Sequence, residues 1–178
     1  VNLDEYKGLS GSDMQSYRYF MNTHLFHKIN INYSNTYVPD GTEQDAEKAC
    51  SAYNELLHKV GPADIQILGL GHDGHIGFNE PSDHFEDETH CVDLTETTIQ
   101  ANKRFFESEA DVPRQAYTMG IGTIMRAKRI LLIASGKDKA AIVKEALFGP
   151  VRPQVPASIL QLHPDVTVVL DEEAASCL

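Results

Sequence analysis

The stretch DIQILGLGHDGHIGFNEP, residues 64–81, opens as an apolar run and breaks into glycines. A short, nearly continuous apolar run is what a strand buried in a parallel sheet requires. Directly behind it, Asp73, His75 and Glu80 fall within eight positions. A strand that ends in a Gly-rich loop carrying proton-handling side chains is where α/β proteins keep their chemistry.

Outward from this loop, strands and helices alternate. Residues 1–3 read as the tail of a strand, and AYTMGIG (116–122), RILLIAS (129–135) and DVTVVLD (165–171) as further strands. Apolar residues at helical spacing predict helices over 12–27, behind a Ser12-Asp13 cap, and over 42–60, from Thr42 to Gly61. A shorter helix is expected over 96–107, and GKDKAAIVKEALFG turns into a helix closed by Gly149. His163 is expected to close a short helix ahead of Pro164. The pattern predicts one α/β domain over 1–178: a three-layer, Rossmann-like, mostly parallel sheet with helices on both faces. Ligands of such a sheet sit beyond the carboxyl ends of its strands.

Composition narrows the function. The 178 residues carry a net charge of −11, which argues against nucleic acid and against an anionic membrane surface as partners. No apolar stretch approaches the ~18 residues of a membrane span. Cys50, Cys91 and Cys177 lie far apart with no CxxC pair, the usage expected of thiols in a reducing, cytoplasmic compartment. The chain opens at Val1 on what reads as the end of a strand, so it is expected to be a piece of a longer protein lacking its N-terminal strand region.

In the central loop, Gly74 permits a tight turn that lets Asp73 and His75 face one pocket. A carboxylate beside an imidazole fixes its tautomer and raises its basicity, leaving the other nitrogen for proton transfer near neutral pH. Glu80 supplies a second carboxylate. A metal site is the rival chemistry, with His72, Asp73, His75 and Glu80 as ligands, but the spacing fits no common zinc pattern. Asp4 and Glu5, at the end of the first strand, offer a carbon-proton base or a helix cap. Arg104, on the helix after the loop, and Lys139, in the strand-to-helix turn SGKDKA with Lys137 as its competitor, are candidate anion-binding cations. His24, His27, His58, His84 and His90 have no constellation around them.

These pieces together resemble the glucosamine-6-phosphate deaminase family. NLDEYKGL (2–9) is similar to its DEY-GL element, and GLGHDGHIGFNEP (69–81) to its DGHIAFNEP signature, with Gly77 where Ala is usual. TIQANKRFF (98–106), ASGKDKA (134–140) and SILQLHPDVTVVLDEEAA (158–175) resemble the segment with a phosphate-binding arginine, the turn with a phosphate-binding lysine and the C-terminal strand. The resemblance implies conversion of glucosamine 6-phosphate and water to fructose 6-phosphate and ammonia. His75, supported by Asp73 and Glu80, would open the pyranose ring; Asp4 would move the C2 proton to C1 through an enolamine; Arg104 and Lys139 would hold the phosphate. Every step is proton transfer, so no metal or organic cofactor is implied.

Two departures shape the expectation. The family's phosphate loop lies ahead of Val1, so weak or no activity is expected of these residues alone. Some members are hexamers activated by N-acetylglucosamine 6-phosphate through serines and basic residues after FNEP; here SDHFEDETHCV (82–92) is acidic, which implies no such site and a monomer or small homo-oligomer. The alternatives are a related sugar-phosphate enzyme, such as a 6-phosphogluconolactonase, and a non-enzymatic effector-binding domain. The lactonase needs no C2 base and the effector domain need not keep Asp4, Asp73, His75 and Glu80 together.

Overall fold

The computed structural model describes all residues from Val1 to Leu178. Its elements run β1 Asp4–Tyr6, α1 Tyr17–His24, α2 Ala46–Val60, β2 Gln66–Leu68, β3 His90–Asp93, α3 Glu96–Asn102, β4 Gln115–Thr118, α4 Ile121–Met125, β5 Ile130–Ala134, α5 Ala140–Phe148 and β6 Val166–Leu170. Short 3-10 turns link several of them, one over Pro156–Leu162 with His163 at its end, as the sequence suggests. The chain divides into two compact units, Val1–Lys59 with Thr89–Thr118, and Val60–Glu88 with Met119–Leu178.

The first unit is built on an antiparallel sheet in the order β1-β4-β3. Asp4 pairs with Thr118 on one side of the ladder, and Thr118 with His90 on the other. The sequence reading misses β3, because HCVD has neither an apolar run nor a clean alternation. The helix expected over 12–27 is shorter. Asp13 is spent on a turn, accepting from the Ser10 amide at 2.6 Å and the Ser10 hydroxyl at 2.8 Å. Ser16 is the true cap: its hydroxyl accepts from the Tyr19 amide at 3.0 Å. Likewise α2 starts at Ala46 rather than near Thr42, since Asp45 accepts from the Lys48 amide at 3.2 Å while Thr42 donates to Asp40. Ala49, Tyr53 and Leu57, four apart, are the buried stripe of α2. The helix predicted to 107 stops at Asn102, and Lys103–Phe105 tighten into a 3-10 turn.

The second unit carries the parallel sheet predicted from the apolar runs, in the order β2-β5-β6. Its inward residues are fully enclosed: Leu68, Ile130 and Leu132 are at most 1% exposed. The alternate positions Ile67, Ile133 and Val169 stand on the other face and are 58%, 45% and 49% exposed. The strand predicted over 116–122 ends early. Gly120 instead caps α4, whose Gly122 and Thr123 amides donate to the Glu86 and Asp87 carbonyls at 3.1 and 2.9 Å. No room exists for side chains there, since a Cβ at Gly120 would stand 2.3 Å from the Glu88 carbonyl oxygen. The acidic loop after Pro81 is thereby tied to α4, and Asp87 also pairs with Arg126 at 2.9 Å. No helix is long and apolar enough to cross a membrane.

Candidate active site

Strand β2 ends at Leu68, and the chain then folds back over residues 71–75. The Gly71 amide donates to the His75 carbonyl at 2.9 Å and the Gly74 amide to the Gly71 carbonyl at 3.1 Å. Gly74 lies at φ +88°, the left-handed region that a side chain disfavours, and a Cβ there would come within 2.7 Å of Val155 Cγ1. Gly71 is needed for a different reason. A Cβ at Gly71 would stand 2.4 Å from the His75 ring. The imidazole therefore occupies the space that the missing side chain leaves.

His75 Nδ1 lies 2.7 Å from Asp73 Oδ1 and 3.5 Å from Glu80 Oε2. Asp73 Oδ1 also accepts from the His75 amide at 3.1 Å, so it is held over the ring from both ends of one residue. Nδ1 is buried without a directed hydrogen bond, and its contact with the carboxylates is one of charge. Burial opposes the charged imidazolium, but contact with the two carboxylates and their charges outweigh it and lift His75 to about 9. Burial would raise Asp73 as well, yet the imidazolium brings it down to about 2. The two carboxylates thus favour the imidazolium form of His75, a preference that the sequence reading of a base near neutral pH does not include. Both carboxylates address Nδ1, so Nε2 is the nitrogen available for proton transfer.

Asn79 sets the turn before Glu80. Its amide donates to the carbonyls of Ile76 and Met119, both at 2.9 Å. That pairing fixes the amide orientation and leaves the buried Oδ1 without a donor, because a flipped amide would set oxygen against two carbonyls. The ligand atoms of Asp73, His75 and Glu80 lie within 4.8 Å of one another, a disposition that would also suit a divalent ion. His72, the fourth metal candidate in the sequence, turns away to Asp138 at 2.6 Å. Lys139 reaches back from the turn after β5, and its ammonium donates to the Leu70 carbonyl at 2.8 Å.

The first unit holds the other sequence candidates. Asp4 and Glu5 are both buried, at 8% and 2% exposure, and the structure separates their roles. Glu5 is a cap: Oε1 accepts from the Tyr6 and Tyr17 amides and Oε2 from the Arg18 amide, each at 2.9 Å. Burial still pushes its carboxyl above the usual range. Asp4 lies among phenols. Tyr6, Tyr17 and Tyr53 are raised above the usual phenol range, chiefly by burial and further by the charge on Asp4. Sequence reasoning missed this tyrosine surround, since the three residues are far apart in the chain. Arg104 is exposed, in the 3-10 turn after α3, with its guanidinium 4.7 Å from the Phe105 ring centroid. His84, given no partners from the sequence, lies between Asp83 and Glu86 at 2.6 and 2.8 Å.

Comparison with known proteins gives consistent results. Residues 9–169 match the family described as glucosamine-6-phosphate isomerases/6-phosphogluconolactonase. The glucosamine-6-phosphate deaminase of Lachnoclostridium phytofermentans is 59% identical over 95% of this chain and 72% of its own length. A solved monomeric glucosamine-6-phosphate deaminase superposes with a TM-score of 0.97 at 50% identity, over all of this chain and 74% of its own. The 6-phosphogluconolactonase of Trypanosoma brucei shares the fold, with a TM-score of 0.76 at 23% identity, over 98% of this chain and 72% of its own.

Proposed function

The chain belongs to the glucosamine-6-phosphate isomerase/6-phosphogluconolactonase family, and from that premise we propose that it is a glucosamine-6-phosphate deaminase. The observation that carries this reading is the placement of His75 against the Asp73 and Glu80 carboxylates in the loop after a parallel strand. In this reading the imidazolium gives its Nε2 proton to the ring oxygen of glucosamine 6-phosphate, and the imidazole so formed takes the O1 hydroxyl proton back onto Nε2, which opens the ring and restores the acid. Asp4 takes the C2 proton, forming a cis-enolamine, and returns it to C1. The resulting C2 imine adds water and releases ammonia, leaving fructose 6-phosphate. Each positioned acid or base contributes roughly 10²–10⁴-fold, and holding the sugar by its phosphate, on Lys139 and Arg104, supplies orientation. The chemistry as assigned needs only proton carriers.

We assign no activation by N-acetylglucosamine 6-phosphate. Glu86 and Asp87 are committed to capping α4 and to Arg126, and their charge repels a phosphate. A monomer or small homo-oligomer is the assembly that accords with this.

The test is ammonia release from glucosamine 6-phosphate and from its galacto epimer by the full-length protein as wild type, Asp4→Asn and His75→Gln. The wild type is expected to act, and each variant to lose about 10²–10⁴-fold. Equal release by all three would remove the assigned roles. Lactone hydrolysis by Asp4→Asn, with no deamination by the wild type, would move the assignment to the lactonase.

A further inference from the structure

Two loops of the second unit carry the candidate functional groups. Residues 69–75, after β2, present Asp73 and His75; residues 135–139, after β5, present Lys139. Strands β2 and β5 are parallel neighbours, so both loops leave the same end of the sheet. Two bonds cross between them: His72 Nε2 to Asp138 Oδ2 at 2.6 Å, and Lys139 Nζ to the Leu70 carbonyl at 2.8 Å.

The second bond is made by the lysine itself. An ammonium has three donors, so Lys139 can keep the Leu70 carbonyl and still turn a proton toward a phosphate. The lysine turn keeps its place through further contacts. At its start, the Gly136 amide donates to both oxygens of Asp171, at 3.1 and 3.0 Å. At its middle, the side-chain tie to the catalytic loop is His72–Asp138. The same tie holds the Asp138 carboxylate, which neighbours Lys139 in sequence, on the His72 imidazole.

We propose that His72 and Asp138 form a clasp that positions Lys139, so that the phosphate-binding turn and the His75 loop stay in register when the lysine engages a phosphate. The proposal rests on the deaminase reading for the ligand. The two residues are positioning residues and touch no reacting atom. Their side chains are 48% and 61% exposed, so the effect is that of one solvent-facing ion pair: binding shifts modestly and the chemical step does not.

The test has two readouts on the full-length protein: steady-state ammonia release from glucosamine 6-phosphate, and hydrogen exchange of the amides of residues 136–139. His72→Ala is expected to raise KM about three- to fivefold, with kcat within about twofold, and to speed exchange in the turn. His72→Gln, which keeps a donor of similar reach, is expected to restore most of the wild-type KM. In an Asp138→Ala background, His72→Ala is expected to add nothing, the signature of a coupled pair. An unchanged KM with unchanged exchange overturns the proposal, as does additivity in the double variant. A wild type that releases no ammonia instead overturns the deaminase reading, and the exchange measurement alone then decides whether the clasp exists.

Discussion

Two carboxylates adjacent in sequence show how environment assigns chemistry. Glu5 has three backbone amides on its oxygens and is consumed as a cap. Asp4, one residue away, faces the opposite side of the strand, where the phenols of Tyr6, Tyr17 and Tyr53 feel its charge. His75 is set by its neighbours as well. Its value of about 9 lies above the ordinary 6.5, so the imidazolium's contribution to stability is fully present below about 6.5 and is lost as pH rises through about 9. Asp73, lowered from 3.8 to about 2, gives a contribution present above 3.8 and lost as pH falls toward 2. If the imidazolium is the acid in ring opening, kcat/KM falls on the alkaline side with a midpoint near 9. Glu80→Gln removes one of the two negative charges that favour the imidazolium, and its alkaline midpoint is expected to move toward neutrality. A pH–rate profile of the two proteins checks this; coincident alkaline limbs would detach the proton from His75.

At the scale of the element, helix starts were the least legible feature of the sequence. Ser12-Asp13 and Thr42 are residue types that cap helices, and both are diverted by neighbours into turns. The start of α1 is fixed from a distance instead. Its first two amides, Tyr17 and Arg18, donate to Glu5 on β1, and its third to Ser16. A local reading cannot find a cap twelve residues upstream. Glu5→Gln keeps the shape but turns one acceptor into a donor facing amide protons, leaving a buried N–H unpaired. A loss of about 1–3 kcal/mol is expected, read as a lower urea midpoint with unchanged slope. A midpoint equal to the wild type would mean that Glu5 is not the cap.

At the scale of the molecule, the parallel sheet of the second unit is enclosed on one side only. Leu132 is 1% exposed and its neighbour Ile133 is 45% exposed, although both belong to one apolar run. Truncating Leu132 to Ala is expected to cost about 2–5 kcal/mol, and truncating Ile133 to Ala under about 1 kcal/mol, from paired denaturation curves on the same chain. Equal losses would mean that Ile133 is buried in solution. The net charge of −11 bears on ligand binding at the same scale. An anionic ligand meets a repulsive background, and at physiological salt screening over about 8 Å leaves the cations nearest to it to decide the outcome.

The sequence alone determined the alternation of apolar runs that makes β2, β5 and β6 a parallel sheet, and the density of Gly, Asp, His and Glu that marks the loop after β2. Both are legible because burial and tight turns select residue types locally. The protonation state of His75, the division of labour between Asp4 and Glu5, the ends of α1 and α2, and the tie from His72 to Asp138 were decided only by tertiary structure. Each depends on which distant group arrives within bonding distance, and in a buried or half-buried setting that arrival changes which charge state and which hydrogen bond is favoured.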